Sequence, residues 1–333
     1  MVRLISPEDG YLFDTHTDIQ NTFIEKIHAD GTDAALDWLL TVKNDTERTY
    51  PRQLTFVWEA DGVSPHTLEI AEDADFADPF VTVSVDGTEC TVGNFKIGQT
   101  YFWRVDGGEV RSFTTKADAP RFIKIDGALN VRDIGGGKLK QGLLYRGSEI
   151  ERYFNITEAG RRTFTDVLGI RTQLDLRIEC QGKLEKSPAG DSVALVQLGY
   201  RPYMEVFEDV HKAGIVQIME FLTHEENYPV YIHCMGGADR TGMIALYLRA
   251  LAGESDDEIH TDYELTGLST YAGGQTEGAH GFRNRRAPYY AAFLDALDKY
   301  APGGTLADKV PRFLMECGVT AAQIAKILSI IKA

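Results

Sequence analysis

The chain has few cysteines, and none of them lies close to another. Only four occur among its 333 residues, at Cys90, Cys180, Cys234 and Cys317, and no C-x-x-C pair is present. This spacing excludes the common zinc-binding motifs and a dense disulfide framework. Isolated cysteines are typically small buried apolar residues, and we expect that role for three of the four.

Long apolar runs and an excess of positive charge are also lacking. No stretch approaches the roughly 18–20 apolar residues that span a bilayer, and the first residues lack the apolar centre of a signal peptide. The 34 lysines and arginines are outnumbered by 50 aspartates and glutamates, which gives a formal net charge of −16. We therefore expect no integral membrane segment and no nucleic-acid binding, and a local site must hold any anionic ligand. The same features predict a cytoplasmic protein, or an exported one if a leader has been removed.

The length of the chain predicts two domains, because one core rarely organises 333 residues. In the first, residues 1–117, short runs of alternating polar and apolar residues are separated by turn residues, which is typical of a β-sandwich. The runs are TFVWEA, HTLEIAE, FVTVSV, ECTV, TYFWRV and VRSFTT. The preceding segment DAALDWLLTV is partly helical in character, and we interpret it as an elaboration of the sandwich edge.

Aromatic residues in this region suggest a particular kind of sandwich. With Trp58 on an early run and Tyr101 and Trp103 on a late one, the region resembles a fibronectin type III or similar immunoglobulin-like module. The resemblance implies a scaffold or recognition module whose partner is unknown, and a purely structural appendage is the alternative.

The second domain, residues 118–333, alternates strand-like runs with helix-like stretches. The strand-like runs are TQLDLR, VALVQLGY and PVYIHC, and the helix-like stretches are AGIVQIMEFLTH, TGMIALYLRALAG and APYYAAFLDALDKY. Strands that alternate with helices predict βαβ units. We therefore expect an α/β fold with a mainly parallel sheet flanked by helices.

The segment PVYIHCMGGADRTG combines a buried strand, a glycine-containing turn and the start of a helix. Backbone amides that open onto a helix N-terminus can bind phosphate without bulk positive charge, and Gly236 and Gly237 let the backbone curl around it. The same dipoles favour a thiolate at Cys234, which makes its sulfur nucleophilic. Arg240, six positions later, can bind two phosphoryl oxygens in bidentate fashion.

Neighbouring residues have supporting roles in this prediction. Thr241 can donate a hydrogen bond to the sulfur when the thiolate departs, and His233 orients the loop. The residues expected to contact the phosphate are Met235, Gly236, Gly237, Ala238 and Thr241, with Asp175 from the end of an earlier strand. No cofactor is required, because the loop and the arginine neutralise the phosphate, and the carboxylates show no metal-ligand spacing.

The pattern H-C-x5-R-T-G between a strand and a helix resembles the cysteine-dependent tyrosine phosphatase superfamily. Asp239, directly before the arginine, narrows the resemblance to its bacterial tyrosine/lipid phosphatase branch. Elements that resemble this branch begin at Asn130 (NVRDIGG), Gly142 (GLLYR) and Asp175 (DLR). The resemblance makes Asp239 the leading candidate for the general acid, whereas capping of the helix is its alternative role.

Other polar residues of the second domain have weaker claims. Asp209 and Glu205 follow a strand and precede a helix, where tyrosine phosphatases place a mobile acid loop, although no W-P-D is present. Asp175 could orient the loop arginine or a water molecule. For Arg132 and Asp133 we expect structural hydrogen bonds near the site rather than direct catalysis.

The substrate is less strongly specified. Relatives often carry a lysine where this chain has Ala238, which argues against a strong preference for phosphoinositides. Arg283, Arg285 and Arg286, with His280, could supply that charge or form a solvated surface cluster. The leading prediction is a phosphatase for phosphotyrosine, with broader dual specificity left open. The alternatives are a phosphoinositide or inositol-phosphate phosphatase and a phosphate-binding pseudo-enzyme.

Overall fold

The computed structural model describes residues 2–42, 47–62, 64–270 and 288–333. The cluster of His280, Arg283, Arg285 and Arg286 lies outside the described residues. The chain forms two compact units, one of Met1–Thr17 with Pro51–Lys124 and the other of Asp18–Tyr50 with Ile125–Ala333.

The first unit is built from two β-sheets. Its strands are β1 (Val2–Ser6), β2 (Tyr11–Phe13), β3 (Leu54–Ala60), β4 (His66–Ala71), β5 (Pro79–Val85), β6 (Glu89–Val92), β7 (Thr100–Val105) and β8 (Val110–Thr115). One sheet has the antiparallel order β1-β3-β6, and the other has the order β2-β8-β7-β4-β5 with β2 parallel to β8. The six predicted runs coincide with β3 to β8.

The two sheets share one core of large aromatic side chains. Phe56 and Trp58 come from β3 in the first sheet, and Tyr101, Trp103 and Phe113 come from β7 and β8 in the second. The rings of Phe56 and Trp103 meet edge to face with centroids 5.1 Å apart, an arrangement that ring quadrupoles favour. The unit is therefore a β-sandwich, and its likeness to a fibronectin type III module stays a prediction.

A helical hairpin of α1 (Asp18–Asp30) and α2 (Thr32–Thr41) belongs to the second unit. The helical character of this segment is as predicted, but its expected place at the sandwich edge is wrong. Its apolar side chains pack on the turn at Gly267, where a Cβ would lie 2.9 Å from the Leu36 side chain. The domain boundary at residue 117 stays a prediction.

The second unit contains a five-stranded sheet. Its strands are β9 (Arg132–Asp133), β10 (Leu144–Gly147), β11 (Thr172–Asp175), β12 (Ala194–Gln197) and β13 (Val230–His233). In the order β12-β11-β13-β10-β9, only β9 runs antiparallel to its neighbour. The predicted α/β fold with a mainly parallel sheet is therefore confirmed.

Helices accompany this sheet along the chain. They are α3 (Glu158–Arg162), α4 (Asp209–Phe221), α5 (Arg240–Ala252), α6 (Asp256–Glu264), α7 (Pro288–Leu297), α8 (Leu306–Cys317) and α9 (Ala321–Ile331). Helix α5 ends before Gly253, whose φ of +81° is a left-handed conformation that favours glycine. Among the described residues, no helix is both long and apolar enough to cross a bilayer.

Candidate active site

We call residues 234–240, between β13 and α5, the phosphate loop. Strand β13 lies in the middle of its sheet, and α5 is buried along nearly its whole length, so both ends of the loop are fixed. Cys234 follows the last strand residue and is 3% exposed. The loop therefore lies at the carboxyl end of the parallel strands, where α/β folds place their ligands.

The carbonyl groups of the phosphate loop are bonded to residues outside it. Glu149 N donates to Met235 O (2.8 Å), Asn130 Nδ2 to Gly236 O (3.0 Å) and Arg146 Nη2 to Gly237 O (2.7 Å). Because the C=O and N–H of one peptide group point in opposite directions, the N–H groups of Gly236, Gly237 and Ala238 point the other way. These N–H groups form no hydrogen bond with a described residue. Such an array of amides can bind an anion.

Gly237 is required by the close approach of the loop to strand β10. Its φ is +66°, and a Cβ there would lie 2.3 Å from the carbonyl oxygen of Gly147. Any side chain would therefore push the loop away from the sheet. Gly147 is equally constrained, because its own Cβ would lie 2.2 Å from the Tyr231 hydroxyl.

Arg240 is held by a carboxylate that the sequence did not reveal. Its Nη1 and Nη2 donate to Glu179 Oε2 and Oε1 at 2.8 and 2.9 Å. Burial would lower the pKa of Arg240, but the hydrogen bonds to Glu179 raise it. Two of the five guanidinium donors are used in this pair, and the orientation of the planar group is fixed. Tyr200 additionally donates to the Arg240 carbonyl oxygen.

Asp239 directly precedes α5, but its side chain does not cap the helix. Its Oδ1 instead accepts a hydrogen bond from the Tyr203 hydroxyl, which in turn lies 2.6 Å from the Tyr263 hydroxyl. Asp239 is only half-buried, whereas both tyrosines are buried. The carboxylate can therefore be reached from solvent and is oriented from the protein side.

His233 is completely buried below the loop. Its Nδ1 lies 3.0 Å from Cys234 O, and its Nε2 lies 2.9 Å from Gln173 Nε2. Since an amide nitrogen can only donate, Nε2 must accept and Nδ1 carries the proton that Cys234 O receives. Burial lowers the pKa of His233, which favours this neutral form. Its role in orienting the loop stays a prediction.

The hydroxyl of Thr241 is buried and has no hydrogen-bond partner among the described residues. The predicted bond from Thr241 to the Cys234 sulfur is therefore not formed in this structure. Ala238, at the position where relatives often have lysine, is 2% exposed and adds no charge to the loop.

A buried charge cluster supports the loop from behind. Asp262 on α6 accepts bonds from Arg132 Nε (2.8 Å) and Arg146 Nη1 (2.5 Å). Burial would raise the pKa of Asp262, but these arginines and Arg249 hold it well below its usual range. Burial and the charge of Arg146 lower the pKa of Arg132 to about 10. Arg146 thereby connects Asp262 to the carbonyl of Gly237 directly. Arg132 connects Asp262 to Asn130, which bonds the carbonyl of Gly236.

Asp133 and Asp175 each have hydrogen-bond partners of their own. Asp133 accepts from the N–H groups of Gly135 and Gly142, both at 2.7 Å, and so closes the turn between β9 and β10. Asp175 bonds to Arg177 Nε at 2.8 Å, and Arg177 also pairs with Glu149 and Glu151. The carboxylate beside Arg240 is therefore Glu179 rather than Asp175.

The alternative acids Asp209 and Glu205 are both exposed to solvent. Asp209 begins α4 and pairs with Lys212 at 2.9 Å, and Glu205 lies in the turn Tyr203–Phe207. Asp239, which belongs to the loop itself, therefore stays the leading candidate for the acid. Within the described ranges, no group of three or more His, Cys, Asp or Glu side chains could hold a metal ion.

Sequence reasoning missed the residues that reach the loop from distant parts of the chain. Glu179 is 61 positions from Arg240, and Tyr203 is 36 positions from Asp239. A signal did exist for Arg146, the last residue of the GLLYR element, and for Asn130, the first residue of NVRDIGG. No comparable pattern marked Glu179 or the tyrosines.

Comparisons with known proteins show the family of the chain. Residues 123–330 match the sequence profile of a family described as the tyrosine phosphatase family. The chain is also similar to the core catalytic domain of PP-IP phosphatase SIW14 from S. cerevisiae in complex with citrate, at 16% identity over 48% of this chain and 90% of that one, with a TM-score of 0.31. A second structure, the Siw14 catalytic core, is 16% identical over 57% of this chain and 89% of that one, with a TM-score of 0.32. No curated protein sequence matches. Because the family profile spans more than half of the chain, the chain belongs to the tyrosine phosphatase family and is a cysteine phosphatase of that type.

Proposed function

We propose that the chain hydrolyses phosphotyrosine through a cysteinyl-phosphate intermediate on Cys234. The observation that carries the proposal is the phosphate loop itself. One short segment at the end of a central strand contains a cysteine, a row of backbone N–H groups and an arginine of fixed orientation. The N–H groups point away from the side on which the loop carbonyls are bonded. Each of these groups matches a requirement of phosphoryl transfer.

In the first step, the Cys234 thiolate attacks phosphorus in line with the leaving oxygen. The S–P bond forms while the P–O bond to the tyrosyl oxygen breaks, and Asp239 gives its proton to that oxygen. The amides of Gly236, Gly237 and Ala238 and the guanidinium of Arg240 stabilise the equatorial oxygens. The tyrosyl product leaves as a neutral phenol.

In the second step, water attacks the phosphorus of the cysteinyl phosphate. Asp239, now ionised, takes a proton from this water, while the S–P bond breaks and returns its electron pair to sulfur. Inorganic phosphate and the Cys234 thiolate result. We assign to the buried hydroxyl of Thr241 a hydrogen bond to the departing sulfur, which would give that hydroxyl a partner.

The charges near the loop favour phosphotyrosine over inositol rings with several phosphates. The buried Arg146 and Arg177 beside the loop are already paired with carboxylates. Glu179 places a negative charge next to Arg240, where a further phosphate would be repelled. The half-buried ring of Tyr289 lies 4.7 Å from that of Tyr203, the residue bonded to Asp239, and offers apolar surface for an aromatic leaving group.

A substrate panel tests the proposal. Phosphotyrosine and phosphoserine peptides, a phosphoinositide in mixed micelles and inositol hexakisphosphate are compared with wild-type protein and with Cys234→Ser. We expect phosphotyrosine to have the highest kcat/KM and Cys234→Ser to lose at least about 10⁴-fold, as for other covalent nucleophiles. Cys317→Ser is the matched control, because it changes another buried cysteine of the same unit, and it should retain activity.

The other outcomes are equally informative. Faster turnover of the inositol substrates would replace phosphotyrosine as the substrate class while leaving the chemistry intact. Phosphate binding without turnover of any substrate would favour the pseudo-enzyme. Equal activity of Cys234→Ser and wild type would refute the cysteine mechanism.

A further inference from the structure

Tyr203 has an unusual backbone conformation. In the described part of the second unit, only two non-glycine residues have a positive φ, Asn130 at +57° and Tyr203 at +58°. Both are bonded to the phosphate loop, Asn130 to Gly236 O and Tyr203 to the Asp239 carboxylate. A left-handed conformation is unfavourable for a bulky residue and persists where surrounding structure imposes it, often at functional sites.

The hydrogen-bond directions around Tyr203 follow from its single proton. The hydroxyl of Tyr203 donates to Asp239 Oδ1, so it can only accept from Tyr263, whose hydroxyl lies 2.6 Å away. Burial raises the pKa of both tyrosines well above its ordinary value, so both remain protonated donors. The order of donation is therefore Tyr263 to Tyr203 to Asp239.

Packing fixes Tyr263 at the far end of this chain of bonds. Its ring stacks on that of Tyr290, with centroids 4.0 Å apart and planes within 5°. On another side it lies against α5, where a Cβ on Gly242 would be 3.2 Å from the Tyr263 ring. Gly242, the glycine of the R-T-G pattern, thus leaves room for this tyrosine.

We propose that Tyr203, supported by Tyr263, is a positioning residue that holds the Asp239 carboxylate in the orientation needed for proton transfer. The inference rests on the proposed function, in which Asp239 is the general acid and base. With Oδ1 bonded to Tyr203 and no side-chain bond capping α5, the orientation of the carboxylate is set by Tyr203. Tyr203 itself does not touch the reacting atoms.

The dependence of the rate on the leaving group provides the test. For an aryl phosphate with a weakly basic leaving group, such as p-nitrophenyl phosphate, bond cleavage needs little proton transfer. For phenyl phosphate or a phosphotyrosine peptide, it needs the acid. Tyr203→Phe should lower kcat at least about tenfold on phenyl phosphate, within the range that acid–base catalysis contributes. With p-nitrophenyl phosphate, the rate of P–O bond cleavage should fall by less than about threefold. The KM for both esters should not change.

Two variants make the outcome specific. Asp239→Asn should show the same leaving-group dependence with a larger loss; if it shows none, the acid assignment in the proposed function fails. If Asp239→Asn shows the dependence but Tyr203→Phe does not, only the positioning inference is refuted. Tyr228→Phe removes another buried hydroxyl of the same unit, one that donates to Leu222 O at 2.8 Å, and should match wild type on both substrates.

Tyr263→Phe tests the order of donation. Because Tyr263 acts through Tyr203, Tyr263→Phe should lower kcat less than Tyr203→Phe does. The fall should be confined to phenyl phosphate. The double variant with Tyr203→Phe should be no slower than Tyr203→Phe alone, since coupled residues are not additive. Fully additive losses, or equal losses on both esters with a matching fall in Tm, would show a structural role only and refute the inference.

Discussion

The cores of the two units contain different kinds of large buried side chain. The sandwich buries Trp58, Trp103 and Tyr101, which contribute apolar area. The phosphatase unit has an apolar core as well, but around the phosphate loop it also buries Arg132 and Arg146 completely. Apolar burial stabilises a fold, whereas replacing a buried ion pair with apolar residues of similar volume is often neutral or stabilising. We infer that the buried apolar side chains mainly stabilise the fold, whereas the buried arginines mainly fix the position of the phosphate loop.

The bonds of the buried arginines support this distinction. Arg146 uses one terminal nitrogen for Asp262 and the other for Gly237 O. Arg132 bonds Asp262 and the Oδ1 of Asn130, whose Nδ2 holds Gly236 O. Each guanidinium thus connects one shared carboxylate to the loop backbone.

The largest effect is expected from Asp262→Asn. Removing one partner of a buried charge cluster leaves guanidinium groups uncompensated, which costs about 3–5 kcal/mol. The phosphatase unit should lose that much free energy of unfolding in urea titrations, and kcat should fall as well. Unchanged stability would show that the cluster is not held by its charges.

A core substitution in the sandwich should behave differently. Leu68 on β4 is fully buried, and Leu68→Ala should destabilise the first unit by about 2–5 kcal/mol through the cavity it leaves. We expect kcat to remain at the wild-type value at temperatures where the protein stays folded. A fall in kcat that matches the loss of stability would contradict the distinction between the units, because the activity would then depend on packing in the sandwich.

A milder change separates backbone conformation from side-chain bonding. Asn130→Gly accepts a φ of +57° without strain but loses the bond to Gly236 O and the bond from Arg132 Nη1. Each hydrogen bond contributes about 1 kcal/mol, so we expect about a tenfold to thirtyfold fall in kcat/KM. Steady-state kinetics of this variant against Asn227→Gly, an asparagine bonded to Phe221 O in a turn after α4, would check it. Equal effects of the two variants would contradict a specific role for Asn130.

A pH dependence of stability is expected from His233. Burial lowers its pKa from the ordinary 6.5, so the unfolded chain binds this proton more readily than the folded one. The free energy of unfolding should therefore be fully retained above pH 6.5 and fall as the pH drops below it, by at most about 1.4 kcal/mol per pH unit. His233→Asn, which keeps a donor for Cys234 O, should reduce that slope in urea titrations between pH 7 and 5. An unchanged slope would assign the dependence to other groups.

Sequence reasoning succeeded where the signal was local. The phosphate loop could be predicted because strand, cysteine, glycines and arginine are consecutive, and their chemistry depends on backbone geometry that the order itself imposes. The strands β3 to β8 could be predicted because alternation in sequence becomes alternation between the faces of a sheet.

Features set by tertiary packing could not be predicted in this way. Glu179, Tyr203 and Asp262 reach the loop only after the chain has folded, and their positions carry no local pattern. The helical hairpin shows the same limit, since an apolar helix face indicates burial without indicating which unit covers it.

The most direct test of the central claim is detection of the covalent intermediate. Asp239→Asn is mixed with p-nitrophenyl phosphate, quenched in acid within milliseconds and analysed by mass spectrometry after proteolysis. Because this ester needs no acid to react but the intermediate needs a base to be hydrolysed, the peptide that contains Cys234 should gain the mass of one phosphoryl group. The same peptide should remain unmodified in Cys234→Ser. A phosphoryl group on another residue, or none during continuing turnover, would contradict the account.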